Sequence, residues 1–250
     1  MSAGTVIPEA LIDALRTSRH VCVLTGSGIS AESGVPTFRE AQTGLWEKFD
    51  PHELATPEAF LRDPELVWRW YRWRRDLVAK VEPNAGHRAL VDLASNVSGF
   101  TLITQNVDGL HQRAGSDNVI EFHGNLFEDR CFVEGRVVHD ANDDAPMVPA
   151  CTSCGADLRP GVVWFGEAIP EDALNNAMTA ASICDLFFSI GTSSLVWPAA
   201  GLAETAREAG ATIVEVNPNE TPLSDMSDFC LSGNAGIVLP ELISRFHVVR

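Results

Sequence analysis

The chain is poor in several things, and each shortage rules something out. It has one tyrosine, Tyr71, in 250 residues. Basic side chains are scarce: 18 Lys and Arg stand against 34 Asp and Glu, a formal net charge of −16. That balance argues against nonspecific binding to nucleic acid and against anionic membrane surfaces, since both need a cationic face. No apolar run approaches the ~20 residues that span a bilayer. The stretch MSAGTVIPEALIDAL lacks the basic start and long apolar core of a secretory signal. Six cysteines, at 22, 131, 151, 154, 184 and 230, are too scattered for a secreted disulfide framework. A reducing, cytoplasmic setting is therefore expected. The length suits one large domain or a domain carrying an inserted module.

What is present begins with Thr25 to Arg39, TGSGISAESGVPTFR, directly after the apolar run Val21-Cys22-Val23-Leu24. A buried strand running into a glycine-rich turn suits a phosphate or pyrophosphate, because glycine lets backbone N–H groups approach a ligand closely. The spacing departs from the dinucleotide fingerprint, however. G-x-G-x-x-G needs a glycine at Ala31, and the next one comes only at Gly34. The loop predicts a nucleotide site that is not built for hydride transfer.

Short apolar runs recur at 21–24, 102–103, 119–122, 186–190 and 213–216. Helical patterns separate them at Pro8 to Arg16, Ala85 to Leu93, Ala173 to Ile183, Pro198 to Ala209 and Pro240 to Phe246. This alternation predicts an α/β protein with a mostly parallel sheet covered on both faces. Ligands in such sheets sit beyond the carboxyl ends of the strands. Two segments break the pattern. Residues 37–83 hold no clear strand and carry a long helix from about Pro64 to Val81, with Trp68, Trp70, Tyr71 and Trp73. Residues 127–160 hold Cys131 and the CTSC of 151–154.

Gln105-Asn106-Val107-Asp108 and Phe122-His123-Gly124-Asn125 each follow a strand, and GTSS (191–194) and NPN (217–219) follow others. Singly, these are turn or capping sequences. In this order and spacing, together with the opening loop, they make a chain that resembles the sirtuins, the NAD-dependent protein-lysine deacylases. The resemblance runs from about Arg19 to Phe246. It implies a single domain with a large Rossmann-like part at 1–36, 84–126 and 161–250. A smaller helical insertion at 37–83 and a zinc-binding-type insertion at 127–160 complete it. NAD is expected with its pyrophosphate on the amides of Gly26, Ser27, Gly28 and Ser30. Its nicotinamide ribose is expected near Phe38, Arg39, Gln105, Asn106 and Asp108. Its adenosine is expected near Gly191, Thr192, Ser193, Asn217, Asn219 and Ala235. His123 is the implied general base, with Asn106 and Asp108 beside it. An imidazole suits that work because it titrates near neutrality. Nicotinamide, free lysine and 2′-O-acyl-ADP-ribose are the implied products. The stretch from Gly161 to Glu167, with Val162, Val163, Phe165 and Gly166, resembles the strand that pairs with an extended acyl-lysine peptide.

Tyr71 and Arg74 are three apart and share a helix face. A phenol beside a planar guanidinium suits a carboxylate. The pair resembles that of class III sirtuins, which remove succinyl, malonyl and glutaryl groups, and Ala55 matches their small pocket residue. The opposing reading makes Arg69 to Arg75 a solvated face and Tyr71 a core residue. A plain deacetylase, a mono-ADP-ribosyltransferase or a non-catalytic NAD- or ADP-ribose-binding module are the alternatives. Sirtuins carry two C-x-x-C pairs on a structural zinc, but here the first pair reads Cys131-Phe132-Val133-Glu134. Cys131, Cys151 and Cys154 remain. Glu134, His139 or a water could complete the site, or packing could hold a metal-free module. Thr37 stands where an aspartate is frequent in the deacetylases. Cys22, Cys184 and Cys230 are expected in the core, and a monomer is expected.

Overall fold

The computed structural model describes residues 6–36, 50–138 and 147–248. In chain order its elements are α1 (Glu9–Thr17), β1 (Val21–Thr25), α2 (Gly28–Ala31), α3 (Pro51–Leu54), α4 (Pro57–Arg62) and α5 (Pro64–Ala79). Next come α6 (Ala85–Asn96), β2 (Phe100–Thr104), α7 (Leu110–Ala114), β3 (Ile120–Glu121), β4 (Gly124–Cys131), β5 (Val137–Val138) and β6 (Leu158–Val162). The chain closes with α8 (Glu171–Ile183), β7 (Leu186–Ile190), α9 (Gly201–Glu208), β8 (Thr212–Asn217), β9 (Phe229–Ser232) and α10 (Ala235–Val248).

Six strands form one parallel sheet in the order β3-β2-β1-β7-β8-β9. The order runs outward from β1 to one edge, then from β7 to the other. A crevice therefore opens beyond the carboxyl ends of β1 and β7, where the winding reverses. β1 and β7 are buried along their whole length, as strands covered on both faces must be. Alternate residues serve opposite faces. Val21 and Val23 pack with α1, α6 and α10, while Cys22 and Leu24 pack with α8 and α9. Helices thus cover both faces, as the alternation predicts.

The boundaries differ in informative ways. α10 begins five residues before the expected Pro240 and contains it. Glu32 accepts from the Gly236 amide at 2.6 Å, so a distant carboxylate starts this helix. β9 was not expected at all. Its exposed and buried positions mix, so it has no apolar run to announce it. Cys230 lies on this edge strand and is exposed, which corrects the expectation of a core thiol, whereas Cys22 and Cys184 are buried.

A second sheet, antiparallel, has the order β5-β4-β6. It shares one apolar core with α4 and α5, built from Phe60, Trp68, Trp70, Tyr71, Leu126, Leu158 and Trp164 among others. Thr56 and Asp63 cap α4 and α5 through their side chains, each followed by a proline at the first helical position. The Trp68 indole donates to the Leu158 carbonyl at 2.8 Å. Arg75 donates to the carbonyls of Leu126 and Glu128 and pairs with Asp129 at 2.7 Å. The basic helix is therefore not simply a solvated face. Its aromatics Trp68, Trp70 and Tyr71 are almost fully buried. Among the described residues no helix is long and apolar enough to cross a membrane.

Candidate active site

The expected residues arrive at the crevice on loops that follow β1, β2, β7 and β8. Gly26, Ser27, Gly28 and Ser30 follow β1; Gln105, Asn106 and Asp108 follow β2. Gly191, Thr192 and Ser193 follow β7, and Asn217 ends β8. Asn217 donates to the Thr192 carbonyl at 3.0 Å, and Gln105 donates to Thr192 Oγ1 at 2.9 Å. Asn219 is exposed on the turn beyond β8. Ala235 opens α10, and a Cβ on Gly86 would lie 3.1 Å from its carbonyl carbon.

The glycines have a different task from the one expected. Gly26 and Gly28 donate their N–H groups to the carbonyls of Ile190 and Gly191. A Cβ on Gly28 would stand 2.7 Å from Gly191 Cα, and one on Gly26 2.7 Å from Thr192 Cβ. These two amides are spent on seating the β1 loop against the β7 loop. The expectation that they hold pyrophosphate is corrected accordingly.

Ser30 is a hub. Its hydroxyl accepts from Asn106 Nδ2 at 3.1 Å and donates to the Asp108 carboxylate. Asn106 also donates to the Gly26 carbonyl at 3.0 Å. Burial pushes the Asp108 carboxyl up, against the pull of the Leu110 amide, Ser30 and the Arg74 charge.

His123 lies where the chain leaves β3 for β4. Its Nδ1 is 2.9 Å from the Gln105 carbonyl, which can only accept, so Nδ1 carries the proton. Nε2 is then the nitrogen with the free lone pair. Burial lowers the imidazole from its ordinary value and the Gln105 carbonyl offsets part of that, so the ring is a neutral base at neutral pH. Gly124 behind it has φ +76, and a Cβ there would meet the Gly161 carbonyl oxygen at 2.2 Å. The glycine of FHGN is required by that crossing.

Two histidines that the sequence reading missed lie beneath the site. His87 is buried, accepts from the Asn84 amide through Nδ1, and faces Ser30 Oγ with Nε2 at 3.4 Å. His111 is buried with Nε2 2.9 Å from Thr25 Oγ1, which in turn donates to Thr104. The rings are 4.9 Å apart. Burial drives His87 down to about 4 and His111 down to about 3. Both stay neutral when folded, whereas the unfolded rings titrate at an ordinary 6.5. From there down to about 4, the unfolded chain binds protons that the folded chain refuses. Stability should therefore fall as the pH drops through this window, by ~3 kcal/mol for His87 alone. Urea midpoints between pH 7 and 4 check this, and His87→Gln and His111→Gln should each flatten the slope. The available signal was His87 at the third helical position after the Asn84 cap.

Tyr71 and Arg74 sit on the face of α5 that looks toward Asp108. Tyr71 is buried, and burial pushes its phenol up to about 12 while the Arg74 charge holds it back. It is thus a neutral donor. Arg74 is half-buried and lies over the Trp70 ring at 5.0 Å; burial lowers its guanidinium from its ordinary value, and Tyr71 and Asp108 offset part of that. Ala55 is buried, and its carbonyl accepts from the Phe165 amide at 2.9 Å. The expected peptide strand ends as β6 at Val162. Val163 donates to the His123 carbonyl at 2.8 Å, Trp164 turns inward, and Phe165 and Gly166 are exposed. Val162, at the end of β6, is buried.

Cys131, Glu134, Cys151 and Cys154 place their donor atoms within 4.8 Å of one another. Cys131 and Cys154 sulfurs are 3.5 Å apart, and Glu134 Oε2 is 3.9 Å from Cys151 Sγ. Tetrahedral ligands at Zn–S distances lie about 3.8 Å apart, so the cluster fits structural zinc with Glu134 as the oxygen donor. Arg136 bridges Glu134 at 2.6 Å and Cys151 at 3.2 Å, offsetting the negative charge. The amides of Cys154 and Ser153 draw the Cys151 thiol down to about 7. One zinc per chain is expected by elemental analysis, and chelation or Cys151→Ser should lower the Tm. Untreated protein free of metal would contradict this assignment. Phe38 and Arg39, expected at the nicotinamide, Thr37, and His139, the other candidate ligand, lie outside the described residues. A groove of about 610 Å³ between α6, β2, the turn after α7 and α8 contains none of these groups.

Comparison with known proteins agrees with this geometry. Residues 26–198 match the model of the Sir2 family. An NAD-dependent protein deacylase of Aquifex aeolicus (strain VF5) is 53% identical over 224 residues, covering 89% of this chain and 93% of the other. One of Methylococcus capsulatus is 49% identical over 243 residues, covering 94% and 95%. A crystal structure of a Sir2 homolog–NAD complex superimposes with a TM-score of 0.91 at 44% identity, covering 100% of this chain and 97% of the other. The six-stranded sheet, the His123 junction and the cysteine cluster thus come from a chain that belongs to the Sir2 family.

Proposed function

We propose that this chain is an NAD-dependent protein-lysine deacylase that favours acyl groups ending in a carboxylate, succinyl or malonyl above acetyl. Family membership and the deacylases among its relatives support the reaction. The acyl preference rests on one observation: a buried phenol and a half-buried guanidinium stand together on α5, the guanidinium beside Asp108.

The donor set at the crevice suits a dinucleotide: hydroxyls and amides for riboses and nicotinamide, with no cluster of cations among the described residues. When bound, NAD supplies an electrophilic ribose carbon with nicotinamide as its leaving group. His123 Nε2 takes the proton of a ribose hydroxyl, while Gln105 holds the other ring nitrogen and so the tautomer. Asn106 and Ser30 brace the β1 loop and would help to hold the nicotinamide ribose. Ala55 leaves room for the acyl chain, and Arg74 with Tyr71 receives its carboxylate. The exposed Phe165 and Gly166 mark where an extended acyl-lysine peptide would lie, the Val163, Trp164 and Phe165 amides being taken within the chain. With one water consumed, acyl-lysine and NAD give nicotinamide, free lysine and 2′-O-acyl-ADP-ribose, and the proposed setting is the cytoplasm.

The burial of Tyr71 against Trp70 and Trp164 favours a plain deacetylase as the second reading. Acetyl-, malonyl- and succinyl-lysine peptides incubated with NAD and followed by mass spectrometry separate the two. Faster loss of the acidic acyl groups supports the proposal; acetyl removal alone would refute it.

A further inference from the structure

Tyr71 does not hold its hydroxyl alone. The Trp164 indole N–H donates to Tyr71 Oη at 2.9 Å, with both side chains buried. A phenol oxygen that accepts one bond keeps its own proton for a different acceptor. Donation to the oxygen also polarises the O–H, which makes it a stronger donor in turn.

Trp164 is itself fixed at both ends. Its amide donates to Glu167 Oε2 at 2.8 Å. Glu167 is paired with Arg159, whose guanidinium lies 3.4 Å from the centre of the Trp164 ring. Arg159 also donates to the Val162 carbonyl at 2.7 Å, which ties this stack to the end of β6. A cation over an indole face draws electron density from the ring and strengthens its N–H as a donor.

We propose that Trp164 is a positioning residue for acyl selection: its indole N–H commits the Tyr71 hydroxyl to donate toward the carboxylate of the acyl chain. This rests on the acid-acyl reading above. A plain packing tryptophan would serve every acyl-lysine equally. A tryptophan that aims a hydroxyl at a carboxylate matters only when that carboxylate is present.

The test compares kcat and KM on succinyl- and acetyl-lysine peptides for the wild type, Trp164→Phe, Tyr71→Phe and the double variant. Benzothienylalanine at position 164 keeps the ring size and removes the N–H, and it stands in should Trp164→Phe fail to fold. Loss of one neutral hydrogen bond should raise KM for the succinyl peptide by about two- to tenfold. The succinyl-to-acetyl ratio of kcat/KM should fall by a similar factor, with kcat nearly unchanged. In the Tyr71→Phe background the Trp164 change should add nothing. Equal losses on both peptides, or additive losses in the double variant, would overturn the proposal. Should Tyr71→Phe itself show no succinyl-selective loss, the acid-acyl reading fails and this proposal falls with it. A selective loss in Tyr71→Phe without one in Trp164→Phe overturns the role of Trp164 alone.

Discussion

Arg74→Met is expected to lower desuccinylation by about two to three powers of ten and to leave deacetylation within a few-fold. Methionine keeps the length of the stem and removes the charge. The acyl carboxylate would then enter a pocket with a buried phenol and no cation. Leaving one partner of a desolvated charge pair unmatched costs about 2–5 kcal/mol, which sets the size of the effect. Asp108 adds to the penalty, because it already faces Arg74 and would face the incoming carboxylate without a cation between them. An acetyl group carries no charge and meets neither difficulty. The loss should appear mainly in KM. Steady-state kinetics on paired peptides gives the answer, and equal losses on both would remove the acid-acyl assignment.

His123→Ala should reduce turnover on every acyl-lysine by about 10²–10⁴-fold while NAD still binds, since a general base contributes on that order. The wild-type pH profile carries a second check. Burial lowers the His123 imidazole below its ordinary 6.5, so the ring loses its basic lone pair only at lower pH. The acid limb of kcat/KM should accordingly fall below 6.5. Tight NAD binding with full turnover in His123→Ala would make this chain's catalysis independent of that imidazole.

Much of the sheet was legible because buried parallel strands leave unbroken apolar runs. The expected run Leu186 to Ile190 matches β7, and 21–24 falls one residue short of β1. β9 was not legible, since an edge strand buries too little to leave a pattern. α10 was misread at Pro240 because its true start is set by Glu32, more than two hundred residues away. The loops after the strands could be placed from their sequences, yet the task of Gly26 and Gly28 could not. Whether a glycine amide is free for a ligand depends on what the neighbouring loop already takes. The same holds for Tyr71 and Arg74. Helical spacing put them on one face, but only the fold shows that Trp164 reaches the phenol across 93 positions of chain.

The core of the smaller module has a consequence for synthesis. Trp68, Trp70 and Tyr71 precede Leu158 and Trp164 by some ninety positions, with α6, β2 and β3 between them. A nascent chain carrying α5 therefore waits with its tryptophan face uncovered until β6 has left the ribosome. Such contacts, distant along the chain, close late and expose apolar surface meanwhile. Chains ending before residue 158 should be the ones that chaperones hold by this face, while the large sheet, in which β1 pairs with β7, closes later still.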